Sequence, residues 1–182
     1  MLFRSRFNLV WLAGFRFFQL GDTLTATTGT GDPALGAAAL QVATDNDLYG
    51  GQMGFLFDWL FLPRLRLRVV PTITLAGNAI TNTTALAAAD GTLAEFADGS
   101  PLRVHATRGV FSWLGAVDTG FAWDVTERWS LTLGYRVVGV GNVAQADGQW
   151  PPVIDGPASL SGVVAGSETI IHGGYAGFQG RW

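Results

Sequence analysis

The sequence predicts an all-β fold, an antiparallel transmembrane β-barrel wound as an up-and-down meander with about six visible strands. Three observations predict it. First, hydrophobic residues make up 48% of the 182 positions and charged residues only 14%, against a soluble average of about 25% charged. Yet no run reaches the ~18 consecutive apolar residues that a membrane helix requires. Second, apolar and polar residues alternate with period two through segments joined by connections that run long, short, long, short, long. Short turns at one end and long loops at the other are the asymmetry of an outer-membrane barrel. Third, the chain ends on Trp182, with Phe178 and Ala176 on the same parity, where most domains trail into a polar terminus.

The first strand is expected from Phe7 to Leu20, with Leu9, Trp11, Ala13, Phe15 and Phe17 on one face and Arg16 on the other. Gly21 to Asp47 reads as a long polar connection whose ends, Asp22–Thr25 and Leu40–Ala43, extend the hairpin. The second strand, Leu48 to Trp59, sets Tyr49, Met53, Phe55, Phe57 and Trp59 against Gln52 and Asp58. A short turn through Pro63 follows, because proline has no N–H to continue a ladder. The third strand, Leu65 to Asn78, alternates Leu65, Leu67, Val69, Ile73 and Leu75 with Arg66, Arg68, Thr72 and Thr74. Pro71 interrupts it and predicts a bulge or a local gap in the ladder.

Ala79 to Ala106 is the second long connection, with turn signals at Asp90-Gly91 and Asp98-Gly99. The fourth strand, Thr107 to Asp124, places Phe111, Trp113, Val117, Phe121 and Trp123 opposite Arg108, Ser112, Asp118 and Asp124. After a short turn the fifth runs from Trp129 to Asn142, with Arg136 on its polar parity. Val143 to Thr169 is the third long connection, and Ile170 to Trp182 is the closing strand.

Aromatic residues mark two levels on the apolar parity. Trp59, Trp123, Trp129 and Trp182 stand at the short-turn ends, together with Phe7. Ten residues away along their strands stand Tyr49, Trp113 and Phe17. Ten steps of roughly 3.3 Å, tilted by about 40°, project to roughly 25 Å, the height of an outer-membrane apolar band. An indole at each interface keeps its ring in lipid and its N–H near water. Aromatics packed in the core of a soluble β-sandwich explain the alternation, but not the rows or the loop asymmetry.

The stretches Gly14-Phe15-Arg16-Phe17-Phe18-Gln19-Leu20 and Asn46-Asp47-Leu48-Tyr49-Gly50-Gly51-Gln52-Met53-Gly54 resemble the outer-membrane β-barrel family first recognised in planctomycete genomes. Thr74 to Asn78, Arg128-Trp129 through Arg136, and Ile170 to Trp182 echo it. The resemblance departs at Ser112–Asp118, where members carry a Glu, and at Gln145–Gln149, where they carry Arg-Pro-Gly-Asp-Gln. It implies fold and outer-membrane location, and no catalytic residues.

The inward parity collects Arg16, Arg66, Arg68, Arg108 and Arg136 with Asp58 and Asp118. Counted from the short turns, Asp118 should sit between Arg68 and Arg136, in reach of both. Two readings follow: a ring of arginines favouring anions in a pore, or a paired network filling a narrow lumen. Enzyme chemistry finds no support, since His105 and His172 lie near no Ser–carboxylate arrangement. Asp45-Asn46-Asp47 lacks the further ligands of a calcium loop and reads as solvated loop. Without Cys there is no thiolate metal site. No cofactor and no nucleic acid is expected.

Six strands are fewer than the eight of the smallest single-chain barrels. The start, Met1-Leu2-Phe3-Arg4-Ser5-Arg6, lacks the apolar run of a signal peptide. The expectation is one barrel domain over residues 1–182, the C-terminal part of a larger barrel with strands missing upstream. The alternatives are a hidden hairpin at Leu40–Ala43 and Val104–Thr107, or a homo-oligomer sharing one barrel. Expected partners are outer-membrane lipid and the barrel-assembly machinery, engaged through the strand ending at Trp182. Function is expected to be structural or pore-forming, with a surface scaffold using the long loops as the alternative, and then a soluble binding module.

Overall fold

Alternation over a half-buried surface gives strands, and the strands are long. A computed structural model describes residues 6–29, 37–88 and 90–180. The strands are β1 (Phe7–Gly29), β2 (Ala37–Leu62), β3 (Leu65–Ala88), β4 (Arg103–Asp124), β5 (Trp129–Val143) and β6 (Ser167–Gly180). They form one antiparallel sheet in chain order, β1-β2-β3-β4-β5-β6, curled into a half-barrel. The expected all-β meander is therefore what the chain adopts. Trp182 lies outside the described residues.

The strands exceed their expected ends. β1 and β2 pair without interruption from Phe7↔Trp59 to Gly29↔Ala37. Leu40–Ala43 and Val104–Thr107 form no further hairpin; they lengthen β2 and β4. The Ala- and Thr-rich ends have weak apolar alternation, but a partner strand satisfies their backbone groups, and that is what a ladder requires. The Asp45–Asp47 stretch lies inside β2 rather than in a solvated loop, with Asn46 wholly buried, Asp45 exposed and Asp47 half-buried. Near Pro71 the β2–β3 pairing skips from Gly54↔Thr72 to Phe57↔Val69 in unchanged register, a gap rather than a bulge.

Two glycines on the concave face permit the curl. A Cβ on Gly50 would lie 2.1 Å from the Leu75 carbonyl oxygen, and one on Gly54 2.3 Å from that of Pro71. Both obstacles are backbone of the next strand, so only glycine lets β2 and β3 approach this closely.

The core lies on the concave face, toward the long-connection end. Leu48, Ala76, Leu114, Val138, Val140 and Val143 form one buried cluster, with Phe18, Leu20 and Ala116 against it. A second joins Ile80 and Ala106 to Ala144 and Val163. The last two belong to the β5–β6 connection, which thus folds inward over the sheet. β5 turns at Asn142, one residue before its end, with a φ of 60° that Asn tolerates better than most residues. The register breaks there, between Gly141 and Val143, and the chain returns through Gly166, φ 130°.

Candidate functional site: a two-zone concave face

Period-two alternation gives the two faces opposite chemistry. The convex face carries Phe7, Trp11, Phe15, Phe17, Tyr49, Met53, Ile73, Leu75, Phe111, Trp113, Phe121, Trp123, Trp129 and Leu133, all exposed. An exposed apolar surface of this extent needs a non-aqueous neighbour. Several of the aromatic residues predicted at its two margins meet another ring. Phe7 stacks on Trp59 with ring centroids 5.5 Å apart, and Phe17 faces Tyr49 at 5.0 Å. Trp129 stacks on Phe178 at 4.7 Å. Trp113 lies over Gly141, where an added Cβ would meet the indole at 2.4 Å. Trp123 stands opposite Leu65 and Leu131 in register.

The concave face divides into two zones. In the short-turn zone, charges pair between adjacent strands. Arg66 meets Asp124 at 3.1 Å, and Arg68 meets Asp58 at 3.1 Å. Arg136 grips Asp118 Oδ2 with Nε at 2.8 Å and Nη2 at 2.5 Å. The Tyr175 hydroxyl donates to the other oxygen, Oδ1, at 2.6 Å. Sequence spacing put Asp118 between Arg68 and Arg136; only Arg136 takes it, because Asp58 stands directly opposite Arg68 in the β2–β3 register. Tyr175 reaches Asp118 across Gly134, where a Cβ would lie 2.3 Å from its ring.

In the long-connection zone the inward loop is fastened by buried polar groups. Asn46 donates from Nδ2 to the Ala144 carbonyl at 2.8 Å and accepts at Oδ1 from the Ala144 N–H at 2.9 Å. It also donates to the Leu20 carbonyl at 3.2 Å and accepts from Asn78 Nδ2 at 3.1 Å. Asp22 accepts from the Ala146 N–H at 2.9 Å, and Arg108 donates to the Val163 carbonyl at 2.9 Å. Ser112 Oγ donates to the Asn142 carbonyl at 2.7 Å. Arg108 therefore serves the loop, apart from the other arginines. Arg16, on β1 at the boundary of the zones, has no carboxylate partner among the described residues.

Compared with protein families, residues 1–169 match the model of the family described as Putative beta barrel porin-7 (BBP7). The chain belongs to this porin family. No curated protein and no solved structure matches it. Membership of a β-barrel porin family supports a porin-like role in the outer membrane and supplies no catalytic residues.

Sequence reasoning did not single out Asn46, Asp22 or Tyr175 as functional. Tyr175 shares the inward parity of Gln179, a signal that was available. Asn46 and Asp22 gave none, because their importance comes from a loop about 100 residues later in the chain folding back onto them. The two histidines lie apart from both zones. His105 bonds to Thr83 at 2.9 Å, and His172 meets the Tyr135 hydroxyl on the convex face.

Proposed function

We propose that this chain forms the wall of an outer-membrane channel for small solutes, with its β5–β6 connection as an internal constriction. The observation that carries this reading is the opposition of the two faces: an apolar convex face edged by aromatic pairs and a concave face lined by ion pairs. A wall with lipid on one side and water on the other requires that opposition. Residues on the wall would then act by charge and size rather than by catalysis.

A closed wall needs partners for the outer edges of β1 and β6, since unpaired backbone groups in hydrocarbon each cost several kcal/mol, on the order of a lost hydrogen bond or more. β1 and β6 run in opposite directions, so the β6 edge of one copy fits the β1 edge of another within the same meander. A surface-scaffold role is the second reading. It is favoured by the β1–β4 hairpins, which continue well past Phe17 and Tyr49 to Gly29 and Ala37.

The test is refolding into detergent, with gel migration compared unheated and boiled, and then conductance in a planar bilayer. A heat-dependent shift and discrete conductance steps are expected. A heat-resistant species that never conducts would overturn the channel and favour the scaffold. Dispersion as a monomer without detergent would overturn both.

A further inference from the structure

The concave face has a gap along β6. Its inward positions there are Ile171, Gly173 and Tyr175, whose register partners on β5 are Val138, Arg136 and Gly134. Gly173 leaves a side chain missing between two large ones whose Cα atoms stand about 13 Å apart along the strand. A Cβ added at Gly173 would meet nothing within 4 Å. A cavity of about 500 Å³ occupies this place, lined among others by Asp118, Arg136, Val138, Ile171, Gly173 and Tyr175. Pockets that hold small molecules begin at about 300 Å³.

The wall of this cavity has two chemistries. Asp118 gives Oδ2 to Arg136 and Oδ1 to the Tyr175 hydroxyl, so both carboxylate oxygens are engaged. Arg136 spends Nε and Nη2 on that contact. This fixes the plane of the guanidinium and leaves Nη1 without an acceptor among the described residues. Exposure follows the same division: the Arg136 side chain is 60% exposed and that of Asp118 20%. A solute entering the cavity therefore meets the cation before the anion. The apolar part is Val138, Ile171 and the Tyr175 ring. That ring is braced on the β5 backbone at Gly134, and its hydroxyl is tied to Asp118 on β4. Tyr175 nonetheless stays exposed.

We propose that this cavity binds a small carboxylate carried on a flat apolar ring, a solute of the benzoate class. The carboxylate takes Nη1 of Arg136 in a charge-assisted bond. The ring lies over Gly173, in the place of the missing side chain, against Tyr175 and Ile171. An anion without such a body leaves the apolar wall uncovered, and a ring without charge leaves Arg136 unused. The site deepens the channel reading, on which its physiological meaning rests: it makes the ionic zone a selective step for ring-bearing acids. Its chemistry does not depend on conduction.

The experiment titrates the detergent-refolded protein calorimetrically with sodium benzoate, with inorganic phosphate as the anion alone and benzyl alcohol as the ring alone. Half-blocking concentrations of the same solutes are read in planar bilayers. Gly173→Val fills the gap with a side chain that strands favour, and Arg136→Gln removes the cation. Gly14→Val is the control, adding the same side chain to the concave face of β1, where a Cβ also meets nothing within 4 Å. Wild type and Gly14→Val are expected to bind benzoate at least tenfold more tightly than phosphate or benzyl alcohol, and Arg136→Gln to bind it about tenfold more weakly, the size of one charge-assisted bond. Gly173→Val is expected to show no benzoate binding. Benzoate binding that survives Gly173→Val would overturn the site, as would equal affinity for benzoate and phosphate, or no benzoate binding by the wild type. Should Gly173→Val fail to refold, Arg136→Gln decides, and unchanged benzoate affinity there overturns the site. Binding that requires Gly173 and Arg136 in a protein that never conducts upholds the site and overturns the channel.

Discussion

The two zones of the concave face share strands, parity and curvature, yet one is ionic and the other is filled by a loop. In the short-turn zone the inward positions are Asp58, Arg66, Arg68, Asp118 and Arg136; the Arg68 and Arg136 guanidiniums stay wet, their side chains 54% and 60% exposed, while Arg66 is more enclosed at 29%. Pairs of that exposure contribute little to stability, about 0–1 kcal/mol each. They set potential. In the long-connection zone the inward positions are Val42, Thr44, Asn46, Leu48, Ile80 and Leu114, all buried. There the same parity docks a loop, and stability is concentrated. A barrel wall can thus spend one stretch of each strand on a lined lumen and the next on a core.

The strongest way to break that contrast is Asn46→Ala. It strands the Ala144 N–H and takes a donor from the Leu20 and Ala144 carbonyls, the second of which keeps Thr44 Oγ1 at 3.4 Å, and buried unpaired groups cost about 1–3 kcal/mol each. Urea unfolding in detergent should show a loss of about 3 kcal/mol or more, and single-channel conductance should rise as the loop loosens. Unchanged stability and conductance would mean that the loop is not fastened there.

A smaller effect separates core from lipid face. Leu114, 1% exposed in the first cluster, should lose about 3–4 kcal/mol on substitution by Ala, the transfer term plus a cavity. Leu133→Ala on the convex face should lose only about 2 kcal/mol, because lipid refills the space. Equal losses in the two variants would contradict the filled outer zone.

Smaller still is Asp118→Asn, which removes the charge that holds Arg136 and leaves one amide oxygen where Arg136 and Tyr175 each had a carboxylate oxygen. Stability should fall by about 1 kcal/mol or less at this exposure, while reversal potentials shift further toward anions because a guanidinium is freed. A shift toward cations would refute the assignment of the ionic zone.

The mildest effect lies outside the wall. Asp90 and Asp98 are held below the ordinary carboxylate range, Asp90 by the Thr92 backbone and Asp98 by the Ser100 hydroxyl and backbone. Groups depressed in this way support the native turns above their unfolded pKa, and that support is lost as pH falls through the lower folded value. The Thr92 and Ser100 amide resonances should titrate with midpoints below the usual Asp range, with neither zone affected. Midpoints at the usual value would remove those turns from the account.

Much of the wall was legible before any coordinates. The outward parity of Phe7, Phe17, Tyr49 and Trp59, a ladder interruption at Pro71 and the inward parity of Asp58, Arg66, Arg68, Asp118 and Arg136 follow from side chains alternating along a strand; the pairing of the aromatics and the choice of a gap over a bulge come from register. The strand ends past Leu20 and before Thr107 were not, because Ala, Thr and Gly carry little periodic signal and their ladder depends on a partner.

What the sequence by itself determined is therefore the local part: all-β class, the six strands, their facing and the exposed apolar belt of the convex face, all consequences of a period of two. What only the tertiary structure decided is the long-range part. Arg68 chose Asp58 over Asp118 because register placed them opposite. The β5–β6 connection turned inward because Asn46, Asp22 and the second apolar cluster together outweigh the cost of ordering it, and no short stretch of residues encodes that meeting.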